Sequence, residues 1–153
     1  MKLLTGLSVL VGATFALSAC GGSHAFTITD AAPGAVHTTL PAPLVKLIHS
    51  FSEDRGVSSK RVLVYGPDSR YQLVKASSGD LVGKSARERK GFYLIVFHGH
   101  FVGFSHPAGT KAPRGTIETQ VWSATEGVTD TAIGDGLPAA VSSLHKLAVV
   151  TLS

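Results

Sequence analysis

Residues 91–104 run uncharged for fourteen positions and hold five of the chain's ten Phe and Tyr residues. Aromatic and β-branched side chains suit a pleated surface, so this stretch predicts a strand. Alternation places Phe92, Leu94 and Val96 on one face and Tyr93, Ile95 and Phe97 on the other. Apolar residues on both faces predict a central strand with neighbours on either side. One helix is predicted before it. Leu44, Leu47, Ile48 and Phe51 recur at i, i+3, i+4 and i+7, a single apolar stripe, while Lys46, His49, Ser50 and Glu53 take the other face. Pro43 suits the first turn and Gly56 the stop, which bounds the helix at about residues 43–55.

Four more segments carry strand patterns. Residues 61–65 are β-rich, Gly66-Pro67-Asp68-Ser69 signals a turn, and residues 70–75 alternate polar with apolar. Together they predict a hairpin over 61–75. Residues 115–124 alternate again, with Ile117, Thr119, Val121 and Ser123 on one face and Glu118, Gln120 and Trp122 on the other. With 91–104 they predict a long hairpin joined by the turn-rich loop 105–114, and Trp122 is expected in the core. A turn at 124–127 leads to a short strand reaching residue 133, residues 139–145 suggest a helical turn, and residues 146–152 read as a closing strand. Phe26 and Ile28 suggest a short edge strand. The fold class that follows is α+β, one amphipathic helix on an antiparallel sheet of four to six strands. A small β-sandwich or barrel with a peripheral helix is the alternative.

Composition agrees with one globular domain rich in turns: 153 residues, 44% hydrophobic and 16% charged, with 17 Gly and 7 Pro. The formal charge of +4 comes without a basic stripe interleaved with aromatics, so no nucleic-acid partner is expected. Basic residues do gather once, as Lys84, Arg87, Arg89 and Lys90. They could face anionic lipid headgroups. The simpler reading is a solvated guard beside the aggregation-prone strand that follows.

The first residues have a different character. Lys2 precedes an uncharged run over 3–17, and then come Leu17-Ser18-Ala19-Cys20 and Gly21-Gly22-Ser23. An ordinary secretory signal would not need Cys there, and the apolar run is short for a membrane span, which takes about 20 residues. The pattern resembles the signal peptide and lipobox of bacterial lipoproteins. That resemblance implies cleavage before Cys20, a thioether-linked diacylglycerol on its sulfur, and a domain anchored to the membrane on its extracytoplasmic side, where an envelope protein could be its partner. Cys20 is the only Cys, so no intramolecular disulfide forms. The organisation expected is a signal peptide over 1–19, a lipidated Cys20 with a flexible tether over 20–43, and a globular domain over 44–153. Farther along, Val121–Asp130 resembles the strand, turn and strand that end small secreted PepSY-type bacterial domains, with Ser123 where that pattern has Asp and Glu126 displacing its Gly.

Candidate chemistry is sparse. His98 and His100 fall at i and i+2 in the central strand, so a regular strand would place them on one face, and His106 follows on the adjoining loop. Three imidazoles could hold Zn²⁺ or Cu²⁺. Their plainer reading is a semi-polar end of the sheet bonded to backbone or water. No Gly-x-Ser-x-Gly, Gly-x-Gly-x-x-Gly, P-loop or His-Glu-x-x-His pattern occurs, no catalytic set stands out, and no other cofactor is called for. Two functions follow from different classes. The first is a membrane-tethered, non-enzymatic binding or interaction module. The second is a metal-binding protein or metal-dependent enzyme using His98, His100 and His106.

Overall fold

Flanking a strand that is apolar on both faces takes neighbours on two edges and cover on two sides. The computed structural model shows how this chain supplies them, and describes residues 26–30, 40–55, 57, 61–80, 82–83, 89–103 and 108–152. The strands are β1 (Phe26–Asp30), β2 (Arg61–Asp68), β3 (Phe92–Val102), β4 (Arg114–Ser123), β5 (Gly127–Gly134) and β6 (Lys146–Leu152). They form one six-stranded sheet in the order β1-β6-β2-β3-β4-β5, with antiparallel neighbours throughout. Helices α1 (Ala42–Asp54) and α2 (Arg70–Ser77) and a 3₁₀ turn at Ala139–Ser143 complete the α+β architecture. The edge strand suggested by Phe26 and Ile28 is present and pairs with β6. Part of the 20–43 stretch expected to be a tether is therefore sheet.

The two faces of β3 separate as alternation predicts. Ile95 and Phe97 join Leu44 and Ile48 of α1, Val62 and Val64 of β2, and Ala148 and Val150 of β6 in one core. Phe92, Leu94 and Val96 join Tyr65, Leu73, Val74, Ile117, Val121 and Val141 in the other. Fully burying each large side chain stabilises the fold by about 1.5–3 kcal/mol. On the α1 side the rings of Phe51 and Phe97 lie 4.3 Å apart, and Trp122 packs against Tyr93 at 5.9 Å, as a core residue should. The expected helix is displaced by one residue at its start. The carbonyl of Pro41 accepts from the N–H groups of Leu44 and Val45, Pro43 sits in the first turn, and the Arg55 N–H closes the last turn on the Phe51 carbonyl. Gly56, expected as the stop, lies outside the described residues.

The hairpin expected over residues 61–75 does not form. β2 pairs with β3 through Leu63–Val96 and with β6 through Val62–Val150, while residues 70–77 are helix α2. Two local interactions explain the change. The Ser69 hydroxyl accepts the Gln72 N–H at 3.3 Å, which caps a helix start, and the Asp68 carboxylate accepts the Ser69 N–H at 2.6 Å. Leu73, Val74, Ala76 and Ser77 are the buried residues, a helical spacing that the alternation of Tyr71 and Leu73 conceals. This helix and the 3₁₀ turn cover the second face of β3.

Arg70, at the start of α2, fastens that helix to the far edge of the sheet. Its guanidinium donates twice to Asp130 of β5, at 2.7 and 2.9 Å, and Thr129 donates to the same carboxylate at 2.8 Å. The Arg70 hydrogen bonds hold the Asp130 carboxyl below the usual aspartate range, with help from Thr129 and against partial burial. Across the hairpin from β4 to β5, Gly115 passes so close to Gly134 that an added Cβ would sit 2.3 Å from its carbonyl oxygen. Only glycine fits that crossing.

Two outcomes test this fold. Val96 is fully buried, so Val96→Asp should destabilise the protein by more than about 4 kcal/mol in denaturant unfolding, while Lys75→Asp on exposed α2 surface should cost about 1 kcal/mol or less. Equal melting of the Val96 variant and wild type would remove β3 from the core. The Asp130 pKa is depressed in the folded state, so its contribution is present above the unfolded aspartate pKa and is lost as pH falls through the lower folded value. Arg70→Gln should therefore lose less stability than wild type between pH 7 and about pH 3. Parallel pH profiles would show that the pair contributes nothing.

Candidate functional site

The corner of the sheet beyond α1 holds a polar floor. β4 alternates as expected, so Glu118 and Gln120 share the α1 face with Trp122, and their cross-strand neighbours are Phe97 and Ile95 on β3 and Ile133 and Thr131 on β5. Both are buried, Glu118 at 2% exposure and Gln120 at 5%. A buried carboxylate is costly unless paired and hydrogen-bonded. Here Arg55, just past the end of α1, reaches one Glu118 oxygen with its Nη2 at 3.4 Å, and the Gln120 side-chain amide donates to the other at 3.0 Å. Arg55 also lies over the Phe51 ring, 5.6 Å from its centroid. The chain Phe51, Arg55, Glu118, Gln120 thus links the helix end to the sheet.

The floor is not saturated. A carboxylate offers about four lone-pair sites, and two hydrogen bonds to Glu118 are seen. The Gln120 Oε1 atom is buried with no hydrogen-bond partner among the described residues. Above Glu118 opens a cavity of about 440 Å³, bounded by Phe51, Arg55, Pro113, Thr131 and Ile133. Its described walls therefore present one carboxylate, one guanidinium, one hydroxyl and an apolar rim. Such a set can bind and orient a polar molecule.

The residues singled out from the sequence lie elsewhere. His98 is half-buried opposite Ile117, and His100 is exposed. The register of β3 on β4 slips by one residue between His98 and Phe101, where Gly99 makes an isolated bridge to Val57. The strand is thus irregular where the two imidazoles needed it regular, and His106 lies outside the described residues. Among the described residues no group of three or more His, Cys, Asp or Glu is placed to hold a metal ion. In the basic cluster, Arg89 pairs with Glu126 at 2.5 Å on the surface and Lys90 is exposed, while Lys84 and Arg87 lie outside the described residues. Cys20 and the signal-peptide stretch also lie outside them. No described helix is long and apolar enough to cross a membrane.

Glu118 and Gln120 were legible in one respect. Strand alternation puts them on the same face as Trp122, and a Trp destined for the core draws its same-face neighbours toward burial. Their pairing with Arg55, 63 residues away in sequence, leaves no local signal.

Removing the cation should expose how the floor is held. Arg55→Ala leaves Glu118 buried without its ion partner and should cost about 3 kcal/mol. Adding Glu118→Gln to that variant should restore much of the loss, because the charge goes while the shape stays. Denaturant melts of the wild type, both single variants and the double variant measure this, and strictly additive effects would mean that the two side chains do not interact.

Comparison with known proteins gives no match to any family model, curated protein or solved structure, so what this corner does must come from its own chemistry.

Proposed function

We propose that this chain is a lipid-anchored, extracytoplasmic bacterial protein that acts as a non-enzymatic binding module, with the cavity over Glu118 as its recognition site. The observation that carries the binding reading is the buried Glu118 carboxylate, with lone-pair sites left over, in the wall of an open cavity. A polar group set in the wall of a partly apolar cavity is the kind of anchor by which small-molecule sites orient a ligand. The carboxylate is already engaged by Arg55, which suits recognition better than proton transfer. The anchor rests on Leu17-Ser18-Ala19-Cys20. Two acyl chains on Cys20 would hold stably where one is marginal. Residues 21–25 are all that separate Cys20 from β1, so an extended link would keep that sheet edge within about 20 Å of the lipid surface.

One preparation tests both parts. Metabolically labelled fatty acid should appear on the wild-type protein and not on Cys20→Ser; its absence from wild type would remove the anchor. The full chain, purified in detergent, is then titrated with methylammonium, acetate and acetamide while the Ile133 side-chain methyl resonance is followed. At least one probe should shift it. No shift with any of the three would remove the cavity as a binding site, and the binding reading with it.

A further inference from the structure

The short link from Cys20 brings one end of the sheet to the lipid. Only residues 21–25 precede Phe26, so the start of β1 lies within about 20 Å of the acylated sulfur. Strand pairing decides which other residues share that end. Phe26 lies across from Leu152, Thr151 from Arg61, and Leu63 from Val96, so the start of β1 is level with Gly99 of β3. β3 runs on to Val102, which pairs with Arg114 at the start of β4. At about 3.3 Å per residue, the β3–β4 hairpin projects roughly 10 Å beyond the level of Phe26. Resting on the reading of Cys20 as a lipid anchor, we infer that this hairpin end is a membrane-docking surface that meets the anionic phospholipid headgroups around the anchor.

Three features fit that partner. The first is charge. Residues 91–117 contain no Asp or Glu. Lys111 and Arg114 are exposed near the tip, and so is His100 farther back on β3. The exposed acids toward this end stand on other elements, Glu53 and Asp54 on α1 and Asp135 after β5. A Lys or Arg near an anionic surface contributes about 1 kcal/mol, a modest sum that orients a protein already tethered. The second is an apolar tip. Val102 and Val128 are the large apolar side chains left exposed among the described residues, at 46% and 42%. Val102 sits beside Arg114 at the tip, so an apolar group can enter the headgroup layer while its neighbouring cation meets phosphate. Val128 pairs with Trp122 at the opposite end of the sheet. The third is position. Arg89 and Lys90 precede β3, whose 11 residues span about 35 Å, so these two basic residues lie at the end far from the anchor. Gly103 and Pro113 of the hairpin end also border the cavity over Glu118, so docking sets that site close to the membrane.

The test places the lipidated protein in nanodiscs of phosphatidylcholine, with or without phosphatidylglycerol. The discs carry a trace of lipid with a gadolinium-chelating headgroup, and broadening of the Val102 and Val128 methyl resonances is followed. With phosphatidylglycerol present, Val102 should broaden several-fold more than Val128. Discs of phosphatidylcholine alone should lose most of that difference. So should the double variant Lys111→Glu with Arg114→Glu, and so should wild type in raised salt, an arm that needs no variant to fold. Broadening of Val128 equal to or above that of Val102 overturns the docking surface. A difference that persists through neutral lipid, charge reversal and salt overturns the headgroup contact as well. The mass of the purified protein separates this proposal from the anchor it rests on. A lipidated Cys20 without preferential broadening of Val102 removes the docking surface alone, whereas an unlipidated Cys20 removes both.

Discussion

Covering both faces of β3 is the constraint on which the rest of this structure depends. A strand that carries Phe92, Leu94 and Val96 on one side and Ile95 and Phe97 on the other cannot lie at an edge or on an open face. β2 and β4 take its two edges, α1 takes one face, and α2 with the 3₁₀ turn takes the other. The α2 segment explains why the molecule has three layers around its centre when one helix is obvious in the sequence. Without Leu73, Val74 and Val141, the Phe92–Val96 face would be an exposed apolar patch of the kind that aggregates.

The same constraint creates the candidate site. The α1 stripe packs mainly on β2, β3 and β6, and its last turn ends beside β4. Past that end the α1 face of β4 and β5 has no helix over it among the described residues. Glu118 and Gln120 stand at this boundary, deep enough to lose water and close enough to the helix end to meet Arg55. Burial there raises the cost of an unmatched charge and strengthens a matched one. A site of this kind needs no special loop; it follows from a helix that covers part of a wider sheet.

Two fastenings hold the far edge in place. Arg70 grips Asp130 from α2 on one side of β5, and the Gly115–Gly134 crossing brings the end of β5 hard against β4. The bidentate pair is about one-quarter exposed on each side, so its worth is modest and depends on pH. It nonetheless ties the helix that covers one face to the strand that borders the cavity on the other.

The sequence by itself determined the elements whose pattern is strong and local. The uncharged, two-sided run of residues 91–104, the stripe of Leu44, Leu47, Ile48 and Phe51, the alternation of Ile117 to Ser123 and the closing strand from Lys146 all have one dominant period, and burial follows it. Residues 70–77 were decided by tertiary structure. Their apolar positions fit a strand as well as a short helix, and what tips the balance is a hydroxyl cap at Ser69 together with an uncovered face of β3 to fill. The histidine pair depended on regular pairing through Gly99, and the register slip there comes from how β3 meets β4, which no periodicity encodes. The candidate site was least legible of all. Alternation places Glu118 and Gln120 on the core side of β4, but only the folded chain brings Arg55 across 63 residues to neutralise one and leaves the other's oxygen without a partner among the described residues. Periodicity is a property of neighbours in sequence, whereas charge pairing and cavities belong to neighbours in space.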